Sequence, residues 1–368
     1  MTVRATPPFH ADHVGSLLRP ARLHEARAKA AAGEISPDDL RAVEDECIRD
    51  VVKLQEDVGL QVVTDGEFRR TYWHFDFLSG FDGFELGKPL DMGTFKGASE
   101  PIPSAQISGK LRRTKPIMVD HFTYVAGLTD RTAKISVPGP SMVHFRAGRA
   151  GISEAVYPDL EPFWADLTAA YRAELGDMAA HGASYIQLDD ISYAYLCDTD
   201  IRANLESKGE SPDELALTYA HALNNSIRDL PDNVVTGMHI CRGNFQSTWA
   251  ASGGYEPVAE RVFNTVAVDA LFMEYDSERA GGFEPLRFMP DDKFVVLGLV
   301  TTKTPGLEAK DELKRRIDEA SKYVDLERLC LSPQCGFSST HHGNKISEDD
   351  EIAKLRLIVE VAEDVWGS

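Results

Sequence analysis

His239 and Cys241 stand as His-x-Cys, Glu274 follows well downstream, and Cys335 sits inside Pro-Gln-Cys-Gly. Imidazole, thiolate and carboxylate are the ligand types Zn²⁺ prefers, and a structural zinc site usually takes four of them. Here they come from separate segments, each at the end of a strand-like run. That describes a site assembled by a whole fold, not a zinc finger. Residues two apart on a strand share a face, so His239 and Cys241 can reach one ion if the strand persists that far. Zinc with two sulfur ligands is suited to ionising an incoming thiol, because coordination deprotonates a thiol outright. The bland alternative is that Cys241 and Cys335 are small buried hydrophobes, a common fate of free cysteine. His-x-Cys together with Pro-Gln-Cys-Gly tips the balance to the ion. His341 and His342 are rival ligands, although a double histidine in a Ser/Thr/Gly loop is usually solvent-exposed. Cys47 and Cys330 read as packing residues, and Cys197 leans the same way.

Eight β-branched runs could place these residues: Phe9–Val14, Leu60–Thr64, Lys134–Val137, Ser184–Leu188, Val234–Ile240, Ala270–Glu274, Phe294–Val300 and Arg328–Leu331. Amphipathic stretches alternate with them, clearest over Asp38–Val58, Asp159–His181 and Pro212–Leu230, then Tyr255–Thr265, Leu307–Tyr323 and Glu348–Trp366. Ser36-Pro37 and Ser211-Pro212 are plausible helix starts, with serine as cap and proline in the first turn. Eight such alternations predict an α/β fold, a single (β/α)8 TIM barrel spanning residues 1–368. His13 and Ser16 then follow the first strand, and Asp65 and Glu67 the second. Asp189 and Asp190 end the fourth, while Thr301 and Lys303 follow the seventh. In a barrel these points share the one rim that carries chemistry. Residues 80–131 break the alternation and are expected to form an insertion after strand 2, a lid or substrate wall with a β-hairpin over residues 110–125.

Composition narrows the partners. A formal net charge of −20 repels nucleic acid and anionic membranes. Apolar runs are too short to span a bilayer, and the first residues lack an apolar leader core. Five cysteines do not suggest a disulfide framework. The expectation is a cytoplasmic protein.

Asp12-His13-Val14-Gly15-Ser16, Asp65-Gly66-Glu67-Phe68, Gln187-Leu188-Asp189-Asp190, His239-Ile240-Cys241 and Ser332-Pro333-Gln334-Cys335-Gly336 resemble, in order, the catalytic C-terminal barrel of the cobalamin-independent methionine synthases. The chain is closer still to the short, single-barrel members of that family. The resemblance implies zinc held by His239, Cys241, Glu274 and Cys335, and a methyl group transferred to the thiol of homocysteine. It also implies a homocysteine pocket, with Glu67 and Asp189 on the ammonium and Gly15-Ser16 on the carboxylate. Two converging carboxylates suit an ammonium, and a Gly-Ser turn offers donors to a carboxylate. Helix capping or pairing with Arg69 or Arg70 is the competing role for Glu67 and Asp189.

Two departures bear on the methyl donor. The folate-gripping N-terminal barrel of the long members is absent from this sequence, and Thr301-Thr302-Lys303 stands where the family carries Asp-x-His. 5-Methyltetrahydrofolate is therefore one candidate donor and methylcobalamin another. Proton delivery falls to His74, in the aromatic run Thr71–Phe77, or to Lys303. That run is also a candidate stacking wall for a planar donor. Two other readings stay open: an alkyltransferase acting on another thiol, as in coenzyme M chemistry with epoxides, and a zinc-binding barrel without catalysis.

Overall fold

A computed structural model describes residues 4–88 and 103–367. Ten strands are present among them. They are β1 (Val62–Val63), β2 (Asp82–Gly87), β3 (Ser104–Arg112), β4 (Thr132–Ala133), β5 (Ile135–Pro138), β6 (Tyr185–Asp190), β7 (Val235–Ile240), β8 (Ala270–Glu274), β9 (Phe294–Val300) and β10 (Leu329–Pro333). β5 to β10 form one parallel sheet in unbroken chain order. Parallel neighbours require crossovers, and helices such as Leu160–Ala180, Pro212–Ile227 and Glu256–Thr265 supply them.

Both ends of the row continue. At one end Ala11 bridges Leu331 of β10 in parallel. At the other, β4 runs into β5 with only Lys134 between them and pairs with β1. The two extremities, near Ala11 and at β1, meet through Leu17 N–H to Gly66 O at 3.1 Å and the Thr64 hydroxyl to Gly15 O at 2.6 Å. These contacts are loop and side-chain bonds, not a ladder.

The strands are apolar on both faces because both are covered. One face packs on the helices. The other gathers Phe9, Val14, Val62, Tyr185, Ala270, Phe272, Val296 and Cys330 into a separate buried cluster. Full burial of an aliphatic or phenyl side chain contributes roughly 1.5–3 kcal/mol, so this inner layer fixes the strand ends that carry the polar residues. Ser36 and Ser211 cap helices as the sequence predicts: Ser36 forms a reciprocal capping box with Asp39, and Ser211 accepts from Glu214 N–H.

The hairpin expected over residues 110–125 lies elsewhere. β2 pairs antiparallel with β3, and Val119–Ala126 is a helix. Pro116 cannot donate to a ladder, and the buried Glu174 carboxylate accepts from Ile117 and Met118 N–H, which starts the helix. Residues 89–102 of the expected insertion lie outside the described residues. No described helix is long and apolar enough to cross a membrane.

Candidate metal centre and substrate cavity

Asp189 and His239 are register partners across β6 and β7. Cys241 N–H bonds Asp190 O at 3.1 Å, so the ladder continues past β7 and keeps His239 and Cys241 on one face. Glu274 closes β8. Gln334 N–H bonds Val300 O at 2.9 Å, which carries the chain beyond β10 and delivers Cys335. The ligand atoms of His239, Cys241, Glu274 and Cys335 all lie within 4.8 Å of one another, and all four residues are buried. The two sulfurs are 3.4 Å apart. Tetrahedral bonds of about 2.0–2.3 Å to N, O and S ligands give ligand–ligand edges of about 3.3–3.8 Å. The donor set fits a divalent ion.

Electrostatics agree. Two thiols and a carboxylate share one buried space, and as anions they need a cation between them. The sulfurs are unequal: the contact with Cys241 and the facing His239 hold the Cys335 thiol low, while the same contact, with burial, drives Cys241 well up. Burial works against a charged His239 ring, but Asp189 and the nearby Cys335 outweigh it and lift the ring to about 9. His239 Nδ1 is 3.6 Å from Asp189 Oδ1. A carboxylate on one ring nitrogen orients the other towards a metal. Glu274 Oε1 accepts from Arg242 N–H at 2.9 Å, and Oε2 makes no hydrogen bond, with Arg279 Nη2 3.5 Å away.

The cavity beside these ligands is lined by Ser16, Glu67, Trp73, Arg146, Asp189 and Asn244, among others. Ser16, Glu67 and Asp189 thus meet at one opening. Glu67 sits at φ +61°, an uncommon conformation for a non-glycine residue. Its Oε1 accepts from the Ser136 hydroxyl at 2.9 Å and lies 3.4 Å from Arg70 Nη1, while Oε2 has no partner. Pairing with Arg70 and facing the cavity therefore coexist. Burial, opposed by Arg70, pushes the Glu67 carboxyl up to about 7.

Gly336 closes the wall opposite Ser16. A Cβ there would stand 1.9 Å from Ser16 Oγ, so Gly336→Ala should displace Ser16 and raise the KM of a carboxylate-bearing substrate about tenfold. Steady-state kinetics would check it; an unchanged KM would show that Ser16 takes no part in binding.

His74 and Lys303 do not line this cavity. His74 is buried, packed at a tilt between Trp73 and Phe75 with ring centroids at 4.6 and 3.9 Å, and both ring nitrogens lack hydrogen bonds among the described residues. Burial, then the nearby Arg146 charge, hold the ring neutral. Lys303 Nζ is 3.4 Å from Asp276 Oδ2, and its charge reaches Cys335. His341 and His342 pack ring to ring at 3.8 Å beside Tyr72 and Phe245, apart from the four donors. All five cysteines are free and buried. Trp73, from the aromatic run read as a stacking wall, lines the cavity, and so do Arg146 and Asn244, which sequence reasoning did not single out.

A parallel α/β fold with a buried His/Cys/Glu/Cys centre at its strand ends defines a class of metal-binding enzyme scaffolds. The family described as "Cobalamin-independent synthase, Catalytic domain" matches residues 9–364. The chain belongs to the cobalamin-independent methionine synthase family, a family of methyltransferases. It is 44% identical to the uncharacterized protein YxjG of Bacillus subtilis (strain 168), over 99% of this chain and 96% of that one. It is 25% identical to a methionine synthase of Pyrococcus abyssi, over 88% and 84% of the two chains. Among solved structures it resembles a Listeria monocytogenes protein assigned to the vitamin-B12-independent methionine synthases, at 36% identity and a TM-score of 0.79, covering 99% of this chain and 100% of that one.

Proposed function

We propose that this chain is a zinc-dependent methyltransferase that places a methyl group on the thiol of homocysteine. In this reading the strands close into a (β/α)8 barrel, one catalytic unit over residues 1–368, with residues 80–131 as an insertion. The observation that carries it is the convergence of four donor atoms beside a cavity holding two carboxylates. Closure is supported by an inner cluster that unites Val62 with Cys330 and Phe9, which come from opposite extremities of the strand row.

His239, Cys241, Glu274 and Cys335 would hold the zinc. When bound, zinc ionises a coordinating thiol without redox chemistry, and two thiolate ligands soften its charge so that a third sulfur stays nucleophilic. The rest falls to the chain. Glu67 and Asp189 take the ammonium, and Ser16 beside Gly336 takes the carboxylate, which aims the thiol at the centre. Trp73 offers a flat apolar wall to the donor. The buried setting excludes water and converts the encounter into an oriented one. The S–CH₃ bond forms in line as the bond from methyl to its carrier breaks. Proton delivery to the carrier fits Lys303 better than His74, whose ring is neutral and turned into packing.

Zinc-loaded protein should form methionine from homocysteine with 5-methyltetrahydrofolate, as mono- or triglutamate, or with methylcobalamin. No product with any of these overturns the reading. Product from a thiol lacking the amino-acid group, and not from homocysteine, would move the activity to another acceptor.

A further inference from the structure

Lys134 is 2% exposed in the strand interior, where an ammonium has no solvent to hold it. Its three donors are all engaged: Asp12 Oδ1 at 2.7 Å, Gln187 Oε1 at 3.0 Å, and the carbonyl of His13. Asp12 is satisfied in turn by His13 N–H at 2.7 Å and the Tyr185 hydroxyl at 2.9 Å. Burying such a pair is a weak source of stability, since desolvation offsets most of the attraction. The network therefore calls for another explanation, and its far end supplies one.

An ammonium can only donate, so the Gln187 amide must turn its oxygen to Lys134. Its nitrogen is then fixed on the other side, where it donates to Val14 O at 2.7 Å and to Asp189 Oδ1 at 2.6 Å. The same Oδ1 lies 3.6 Å from His239 Nδ1. Asp189 Oδ1 is thereby occupied from two sides, while Oδ2 accepts no hydrogen bond among the described residues and the side chain lines the cavity. Lys134 thus pins the amide at its oxygen, while Val14 O and Asp189 Oδ1 hold its nitrogen.

We propose that Lys134 and Gln187 are positioning residues that lock the orientation of Asp189, and so set the preference of the cavity for a thiol bearing an ammonium group. The inference rests on the homocysteine reading above and adds to it the device that enforces amine recognition. Neither residue lines the cavity or belongs to the four-donor set.

The test compares binding of homocysteine and its deaminated counterpart, 4-mercaptobutanoate, to the zinc-loaded full chain by calorimetry. It uses wild type, Gln187→Met, Gln187→Glu and Lys134→Met. Gln187→Glu keeps size and an acceptor towards Lys134 but puts an oxygen against Asp189. It also remains informative if Lys134→Met fails to fold. The expected result is a wild-type preference for homocysteine that falls about tenfold or more in each folded variant, the loss typical of a charge-assisted hydrogen bond. Zinc content and affinity for 4-mercaptobutanoate should hold. Variants that keep the wild-type preference, or lose both thiols equally, overturn the positioning role and leave the homocysteine reading standing. A wild type indifferent to the amine overturns that reading, and the inference with it.

Discussion

Cys241→Ser and Cys335→Ser should each yield folded protein that has lost its metal and its transferase activity. A hydroxyl replaces the thiolate without changing the strand ends that carry it, so the ladder from Asp190 O to Cys241 N–H and from Val300 O to Gln334 N–H survives. What is lost is a soft anionic ligand from a four-donor set. Loss of an outer partner of a metal ligand already costs about 10–100-fold in affinity or activity. Loss of the ligand itself should cost roughly a thousandfold or more in affinity, and transfer should fall at least as far. Metal content by atomic emission, with competition against a graded series of chelators, checks the first half. Methionine formation checks the second. Full zinc occupancy in both variants would dismiss the assignment of these sulfurs as ligands.

The second large effect belongs to Glu67. Glu67→Gln keeps the shape and a contact with Ser136, but it removes the charge that would meet the substrate ammonium. Truncating one side of a buried charged pair costs about 2–5 kcal/mol, so kcat/KM for homocysteine should drop by about two orders of magnitude. Stability should not follow. The carboxyl stands at about 7 against an ordinary 4.5 because burial disfavours its charge. The fold therefore favours the protonated form: the stability linked to that preference is full below the ordinary value and is lost as pH rises through about 7. Binding has the opposite sign. Only the ionised carboxylate takes an ammonium, so wild-type affinity for homocysteine should climb more steeply between about pH 6 and 8 than that of Glu67→Gln, which keeps only the rise from ionisation of the thiol. Parallel profiles for the two proteins would exclude Glu67 as the partner.

Much of this was legible in the chain because strand ends obey a simple rule. Pleating puts alternate residues on one face, so His239 and Cys241 could be paired on paper, and the crossover pattern put Glu274 and Cys335 at the same end. Helix starts were legible at Ser36 and Ser211 for a similarly local reason. Contacts that depend on distant partners were not. Lys134 opens a strand-like run with nothing in its neighbours to mark it as buried, yet Asp12, far back in the sequence, pairs with it in the interior. Gly336 looks like an ordinary loop glycine until the Ser16 hydroxyl is seen against it. The hairpin was misplaced because Lys110–Arg113 has strand character on its own, whereas its partner, β2, lies on the far side of a long intervening segment. His74 carried the right chemistry for proton transfer in a place where its neighbours are aromatic rings.

The origin of the four donors has a bearing on handling and assembly. They come from the ends of β7, β8 and β10, three strands of one parallel sheet with β9 between the last two, each held by its own ladder, so the cradle stands before any ion arrives. A zinc finger melts when stripped, because the ion supplies most of its folding energy. Here a strong chelator should empty the centre and leave the melting curve of the chain nearly where it was. Activity should then return on simple readdition of the ion, with no refolding phase, which makes loading a reversible event late in the life of a finished protein.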